Sequence, residues 1–256
     1  MFIFGDKTST EMGLKCVLYT LRNKARFPYT TYHIPGRAEP IIEMSGNAEP
    51  VKVEVQCDLM DIANIDAIYA WLHGRGLLID ELHPDKYRIA YSVESINPVM
   101  LNDEICTLNI TFICSAFMYA VDNEPVIFYD MVKDANVENK GSYYSEPVYE
   151  FTLKPAAASA VADNFAFTLF VNGSHFIITA EKEDFNHTIV LDAGRQLAYY
   201  KDTGAIILNK TTGTIPFLDT GANNITFGYA PKDQATTPYG TSMVSETKII
   251  KNERWL

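Results

Sequence analysis

Tyr32-His33-Ile34-Pro35-Gly36-Arg37 is the stretch from which the rest of the chain is read. By itself it is an extended segment entering a turn. Proline removes a backbone donor and fixes φ, and glycine permits a sharp reversal. Its weight comes from its neighbours downstream, which lie at fixed distances. A short helical pattern carries Trp71-Leu72. Then come Gly76-Leu77-Leu78-Ile79-Asp80, Tyr87-Arg88-Ile89-Ala90-Tyr91 and an alternating strand ending in Phe117-Met118-Tyr119.

Outward from that stretch the pattern is mostly β. Lys15-Cys16-Val17-Leu18-Tyr19 precedes it as a strand-like run. Val51-Lys52-Val53-Glu54-Val55-Gln56-Cys57 comes after it with strict period-two alternation, which marks a strand with one buried face. Ile62, Ile65, Ile68, Tyr69 and Leu72 fall at helical spacing. Asp61 is the expected N-cap, and Gly74 or Gly76 the expected stop. Leu77-Leu78-Ile79 is a short strand. Asp85-Lys86-Tyr87 turns into the strand Arg88–Val93. Leu108, Ile110 and Phe112 alternate with Asn109 and Thr111. Residues 1–125 thus read as an α+β domain, a sheet with one packed helix.

Residues 126–256 read as all-β. The run after Pro155, Ala156 to Ala162, fits a short helix or an irregular entry. Phe165–Val171, Asn172-Gly173 and His175–Ile178 form a hairpin signal, because both turn residues need positive φ. Gln196–Tyr200 turns at Asp202-Thr203-Gly204 into a strand Ala205–Leu208. Asn224–Tyr229 and Thr247–Ile250 are further strands. Such a series indicates a β-sandwich. The last ten residues, Thr247 to Leu256, suit either a strand of that sandwich or a return to the first domain.

Bulk properties narrow the function classes. The chain has 256 residues, 47% hydrophobic and 21% charged, as globular domains do. A net charge of −11 argues against binding DNA through phosphate contacts. It suits either ordinary solubility or a wall that DNA passes without adhering. Residues 1–40 run against this trend, with six Lys or Arg against three Asp or Glu. That start fits an acidic partner or a solvated surface. Cys16, Cys57, Cys106 and Cys114 form no C-x-x-C pair and read as reduced core thiols. The N-terminal residues do not read as a signal peptide, and no run is long enough for a membrane helix. The N-x-S/T triplets at Asn109, Asn172, Asn186, Asn209 and Asn224 carry no meaning without secretion.

No catalytic pattern emerges. His33, His73, His83, His175 and His187 show no ligand spacing, and no nucleophile elbow or phosphate loop occurs. Glu181, Glu183 and Asp184 cluster in a polar connection, and paired carboxylates on a β scaffold can serve a glycosidase. The interleaved Lys182 favours a solvated loop. No catalytic residue, metal site or cofactor is expected, and the chain reads as a component of an assembly.

In their order and spacing, these features resemble the distal tail proteins (Dit family) of long-tailed siphovirus bacteriophages, particularly those infecting Gram-positive bacteria. The resemblance runs from Pro35-Gly36-Arg37 through Trp71-Leu72, Gly76–Asp80 and Tyr87–Tyr91 to Leu108–Tyr119 and the β-rich second half. It implies a tail-tube-like, ring-forming domain over 1–125 and a galectin-like β-sandwich over 126–256. It further implies a homo-hexameric hub at the distal end of the virion tail, made in the bacterial cytoplasm. The hub would join the tail tube protein to the tail-tip protein and receive receptor-binding proteins. Double-stranded DNA would pass through it without specific binding, with no membrane involved.

After Arg37 the family often has Asp-Gly, where this chain has Ala38-Glu39. The second half has one tryptophan, Trp255, and no His-x-Asn-x-Arg series, so the scaffold role carries over and lectin activity does not. The alternative is a carbohydrate-binding module that attaches the particle to the host wall. Tyr32, Ile34, Pro35, Gly36 and Arg37 form a candidate subunit-contact loop, Arg37 reaching carboxylates of a neighbouring copy. The other reading makes them a connection between two strands of one subunit, with Arg37 solvated.

Overall fold

The computed structural model describes residues 1–19, 24–129, 134–154, 165–231 and 244–256. Two compact units emerge, Met1–Val121 with Leu256, and Asp122–Trp255. The boundary falls a few residues before the 125/126 position read from the sequence. Asn123 already belongs to the second unit, its side chain donating to Asn252 Oδ1 at 2.7 Å.

In the first unit the strands are β1 (Phe2–Phe4), β2 (Lys7–Thr8), β3 (Leu14–Tyr19), β4 (Tyr29–Tyr32), β5 (Ile41–Met44), β6 (Val51–Leu59), β7 (Gly74–Asp80), β8 (Lys86–Ser92), β9 (Pro98–Met100), β10 (Cys106–Cys114) and β11 (Met118–Ala120). The main sheet runs β2-β1-β7-β8-β10-β6-β3, with β9 on β10 and β11 on β8. Its backbone is the antiparallel pair β6/β10, in unbroken register from Cys106↔Leu59 to Cys114↔Val51. Because side chains alternate, Val53, Val55 and Cys57 share a buried face with Phe112, Ile110 and Leu108. Lys52 and Glu54 point to solvent.

The helix expected over residues 62–72 is a 3-10 turn, Ile62–Asn64, running into α1 (Ile65–Trp71). Asp61 caps it, accepting from Ala63 N at 3.0 Å. The helix is docked by Ile68 and Leu72, both buried, and by Trp71. The Trp71 ring stacks on Phe2 at 5.6 Å, and its Nε1 donates to Phe4 O at 2.9 Å. Burial of Ile68 alone contributes roughly 1.5–3 kcal/mol. Ile62 and Ile65 also pack against this core, as expected, whereas Tyr69, expected on the buried stripe, is exposed.

Two other expectations for this unit are corrected. Gly74 and Gly76 do not merely stop the helix; both belong to β7. A Cβ on Gly76 would lie 2.8 Å from the Phe4 ring, so this strand position has room only for glycine. The strand expected to end in Phe117–Tyr119 breaks after Cys114, and β11 starts afresh at Met118. Ser115 makes the break: its hydroxyl donates to Phe117 O and accepts from Ile89 N.

The second unit contains β12 (Val126–Tyr129), β13 (Ala135–Asn139), β14 (Val148–Leu153), β15 (Phe165–Val171), β16 (Ser174–Ala180), β17 (Thr188–Asp192), β18 (Leu197–Tyr200), β19 (Thr211–Thr212), β20 (Gly221–Pro231), β21 (Val244–Ile250) and β22 (Arg254–Trp255). Two five-stranded sheets, β12-β21-β14-β17-β18 and β13-β20-β15-β16-β19, share one apolar core. Phe151 of β14 stacks on Phe227 of β20 at 3.8 Å, which joins the two sheets.

Asn172 and Gly173 have φ of +50° and +86°, the paired positive values of the expected hairpin turn. β21 lies between β12 and β14, which settles the position of Thr247–Ile250. The expected strand Ala205–Leu208 does not form. Only an isolated bridge, Tyr199↔Ile206, survives before a 3-10 turn at Leu208–Lys210. The run Pro155–Ala162 lies outside the described residues.

Candidate functional site

Among the described residues, β4 and β5 pair only with each other, making a two-stranded arm in register from Tyr29↔Met44 to Tyr32↔Ile41. All eight of its strand residues are exposed. Residues opposite one another share a face, so Tyr29, Thr31, Ile42 and Met44 lie on one side. Met44 is 70% exposed and Ile42 58%. The other side carries Tyr32, Thr30, Ile41 and Glu43, where the Tyr32 hydroxyl donates to Glu43 Oε2 at 3.0 Å. A two-stranded ribbon without a core is at best marginally stable in water, and this one displays apolar groups on both faces.

Tyr32, Ile34, Pro35, Gly36 and Arg37 occupy the end of this arm. Tyr32 closes β4, and Ile34–Arg37 form the reversal towards β5. Arg37 N donates to Ile34 O at 3.1 Å, and Gly36 has φ +84°. Proline second and positive-φ glycine third define a type II turn. The five residues are therefore together, exposed, and part of a connection within one chain. Sequence reasoning missed Tyr29, Ile41, Ile42 and Met44. The available signal was apolar β-formers on both sides of a Pro-Gly turn.

In the second unit, a cleft of about 500 Å³ is lined by Asn172, Ser174, His175, Thr214, Phe217 and Asp219, among others. Asn172 Nδ2 donates to Asn223 Oδ1 at 2.8 Å and to Asp219 Oδ2 at 3.2 Å. Asn223 is fully buried and also accepts from Asp219 N at 2.8 Å. One buried amide thus fixes both polar walls of the cleft. None of these residues was singled out from the sequence as a site.

Of the carboxylate cluster, Glu181 and Glu183 are exposed, as a solvated loop requires, and Asp184 is not. Glu181 caps a 3-10 turn, Lys182–Asn186, in a reciprocal capping box with Asp184. Asp184 is 1% exposed and its neighbour Phe185 enters the core. Lys210 Nζ lies 3.0 Å from Asp184 Oδ1 and 2.8 Å from Glu181 Oε2, and the Tyr200 hydroxyl also donates to Asp184. Burial works to lower the Lys210 ammonium, but its hydrogen bonds to Glu181 and Asp184 outweigh burial and hold it above its ordinary range. Burial, with the Asp184 hydrogen bond, pushes the Tyr200 phenol up to about 12. Asp184 is therefore a paired, buried structural anion. The sequence hid this because its partners, Tyr200 and Lys210, come from later segments.

Among the described residues, no group of three or more His, Cys, Asp or Glu side chains is placed to hold a metal ion. No helix among them is long and apolar enough to cross a membrane.

The strand order and the two-unit division can be set beside proteins of known structure. No family model and no curated protein matches the chain. Seven chains of known structure do. One is the SPP1 Dit (gp 19.1) protein, described as a paradigm of hub adsorption apparatus in Gram-positive infecting phages. The superposition has a TM-score of 0.71 and covers 100% of this chain and 98% of that one, at 11% sequence identity. The likeness is one of fold, and it extends over the whole length of both proteins.

Proposed function

We propose that the protein is a structural component of a phage tail, a distal hub whose copies close into a hexameric ring. The ring joins the tail tube to the tail tip or baseplate and lets DNA through during ejection. The observation that carries this reading is the end-to-end likeness to a tail hub protein, since a match across both units is harder to reach by chance than a shared sandwich. On this reading the first unit is the tail-tube-like ring former, and the second is a galectin-like sandwich available to tail-tip or receptor-binding proteins.

The arm supports the ring. Its exposed apolar faces suit burial against the next copy, with Arg37 at its tip placed to meet a carboxylate there. The net charge of −11 suits a conduit that does not retain DNA. The role is architectural and non-enzymatic, without a cofactor. Arg37→Glu is expected to abolish ring assembly while leaving the circular dichroism of the monomer unchanged. Rings formed equally well by that variant would remove Arg37 from the contact.

A saccharide-binding role for the second unit is the second reading, favoured by the cleft between Asn172 and Asp219. Titration with purified wall polysaccharide tests it. Binding that is lost in Asp219→Ala supports it, and no binding at millimolar saccharide rejects it.

A further inference from the structure

Cys16 of β3 and Cys57 of β6 are direct partners in the sheet register. Opposed residues of an antiparallel pair have Cα atoms about 4.5–5.5 Å apart, inside the span a disulfide bridges. Their sulfurs are 3.0 Å apart, with the Cys57 thiol donating to Cys16 Sγ. The sheet register shifts just after Cys16, where Val17 is accommodated as an extra residue. A bulge gives the backbone local freedom to draw two sulfurs together. β3 ends the sheet order, and Cys16 is half-exposed there, whereas Cys57 is buried. Cys106 and Cys114 are buried in β10.

We infer that Cys16 and Cys57 are a disulfide-forming pair, closed when the protein meets a low-molecular-weight disulfide such as oxidised glutathione. The reaction takes two exchanges. The Cys16 thiolate attacks one glutathione sulfur, the glutathione disulfide breaks, and one glutathione leaves as thiolate. Cys57, losing its proton to solvent, then attacks the Cys16 sulfur and expels the second glutathione. Two cysteine thiols are oxidised and one glutathione disulfide is reduced to two thiols. The order is set by access and charge. Cys16 is the more exposed residue of the two, and the hydrogen bond to Cys16, together with burial, pushes the Cys57 thiol up and keeps it protonated until the second step.

The bond would have a structural consequence for the arm. Cys16 and Cys57 are 41 positions apart, and β4 and β5 both lie between them. Closing the pair turns the arm-bearing segment into a covalent loop, which restricts the unfolded chain. The inference stands on the sheet register and holds whether or not the protein forms a ring.

The test uses the unaltered full chain. After incubation with oxidised glutathione and quenching in acid, the protein is denatured, alkylated with iodoacetamide and digested without reduction. Mass spectrometry is expected to show a Cys16–Cys57 linked peptide, a loss of two hydrogens from the intact mass, and alkylated Cys106 and Cys114. The melting temperature of the first unit is expected to rise by about 5–10 °C and to fall back with dithiothreitol. Alkylation of both Cys16 and Cys57, glutathione retained on Cys16, or a bond between the Cys16 residues of two chains would each overturn the inference. Cys16→Ser serves as a control that loses the temperature shift. Should it fold poorly, the peptide map of the unaltered chain still decides.

Discussion

At the scale of single residues, Asp184 is a buried carboxylate of the second unit whose partners can be tested. Its charge is matched by Lys210 and by the Tyr200 hydroxyl. Removing the ammonium leaves a buried carboxylate poorly compensated. Lys210→Met is therefore expected to destabilise the unit by about 2–4 kcal/mol in urea unfolding, a range lowered because Lys210 remains 22% exposed. An unchanged midpoint would mean that Asp184 finds compensation elsewhere. The same cluster sets a pH dependence. The folded values of Tyr200 and Lys210 both lie above their ordinary ones. Their contributions are thus present below about pH 10 and lost as pH rises towards about 12. Denaturation monitored from pH 8 to 12 should show stability falling above pH 10 in the natural protein, and a shallower fall in Tyr200→Phe. None of this could be read from Glu181-Lys182-Glu183-Asp184 as a string. Polarity there suggests solvent, and besides the local Glu181 N–H it is the distant Tyr200 and Lys210 that explain how Asp184 is buried.

Elements with a local signature were legible in the sequence. Val51–Cys57 and Leu108–Phe112 reveal themselves because alternation is a property of one strand. Asp61 capped the helical segment as expected because capping spans a few residues. Asn172-Gly173 dictated its turn because the required φ belongs to those two residues. Gly173→Val is expected to cost about 1–2 kcal/mol through the positive φ, read as a lowered midpoint of the second unit. Register and sheet order are long-range, so neither the partnership of Cys16 with Cys57 nor the isolation of β4 and β5 could be foreseen. The arm carries no residue of the first unit's core cluster. Replacing Tyr29–Met44 by a short Gly-Ser linker should therefore move the unit's melting temperature by less than about 2 °C, while eliminating assembly. A large loss of stability would show that the arm folds back as part of the core, contrary to its exposure.

For the whole molecule, two kinds of observation have different reach. The end-to-end fold likeness at 11% identity defines architecture, and the exposed arm and the net charge are what the proposed use rests on. The order and spacing of weak motifs pointed to the same fold, although no single motif was decisive. If the proposed ring is a conduit, a chain of net charge −11 should not retain DNA. In a gel-shift assay with linear duplex at about 150 mM salt, no complex is expected at micromolar protein, and a salt-sensitive complex would contradict the conduit reading. The most direct measurement is light scattering coupled to size exclusion, with electron microscopy of the same fractions, on the full chain alone and with its tube and tip partners. The account predicts six-fold rings with a central opening and a mass of six 28.7 kDa chains. A chain that stays monomeric at every concentration, even with both partners present, would contradict it.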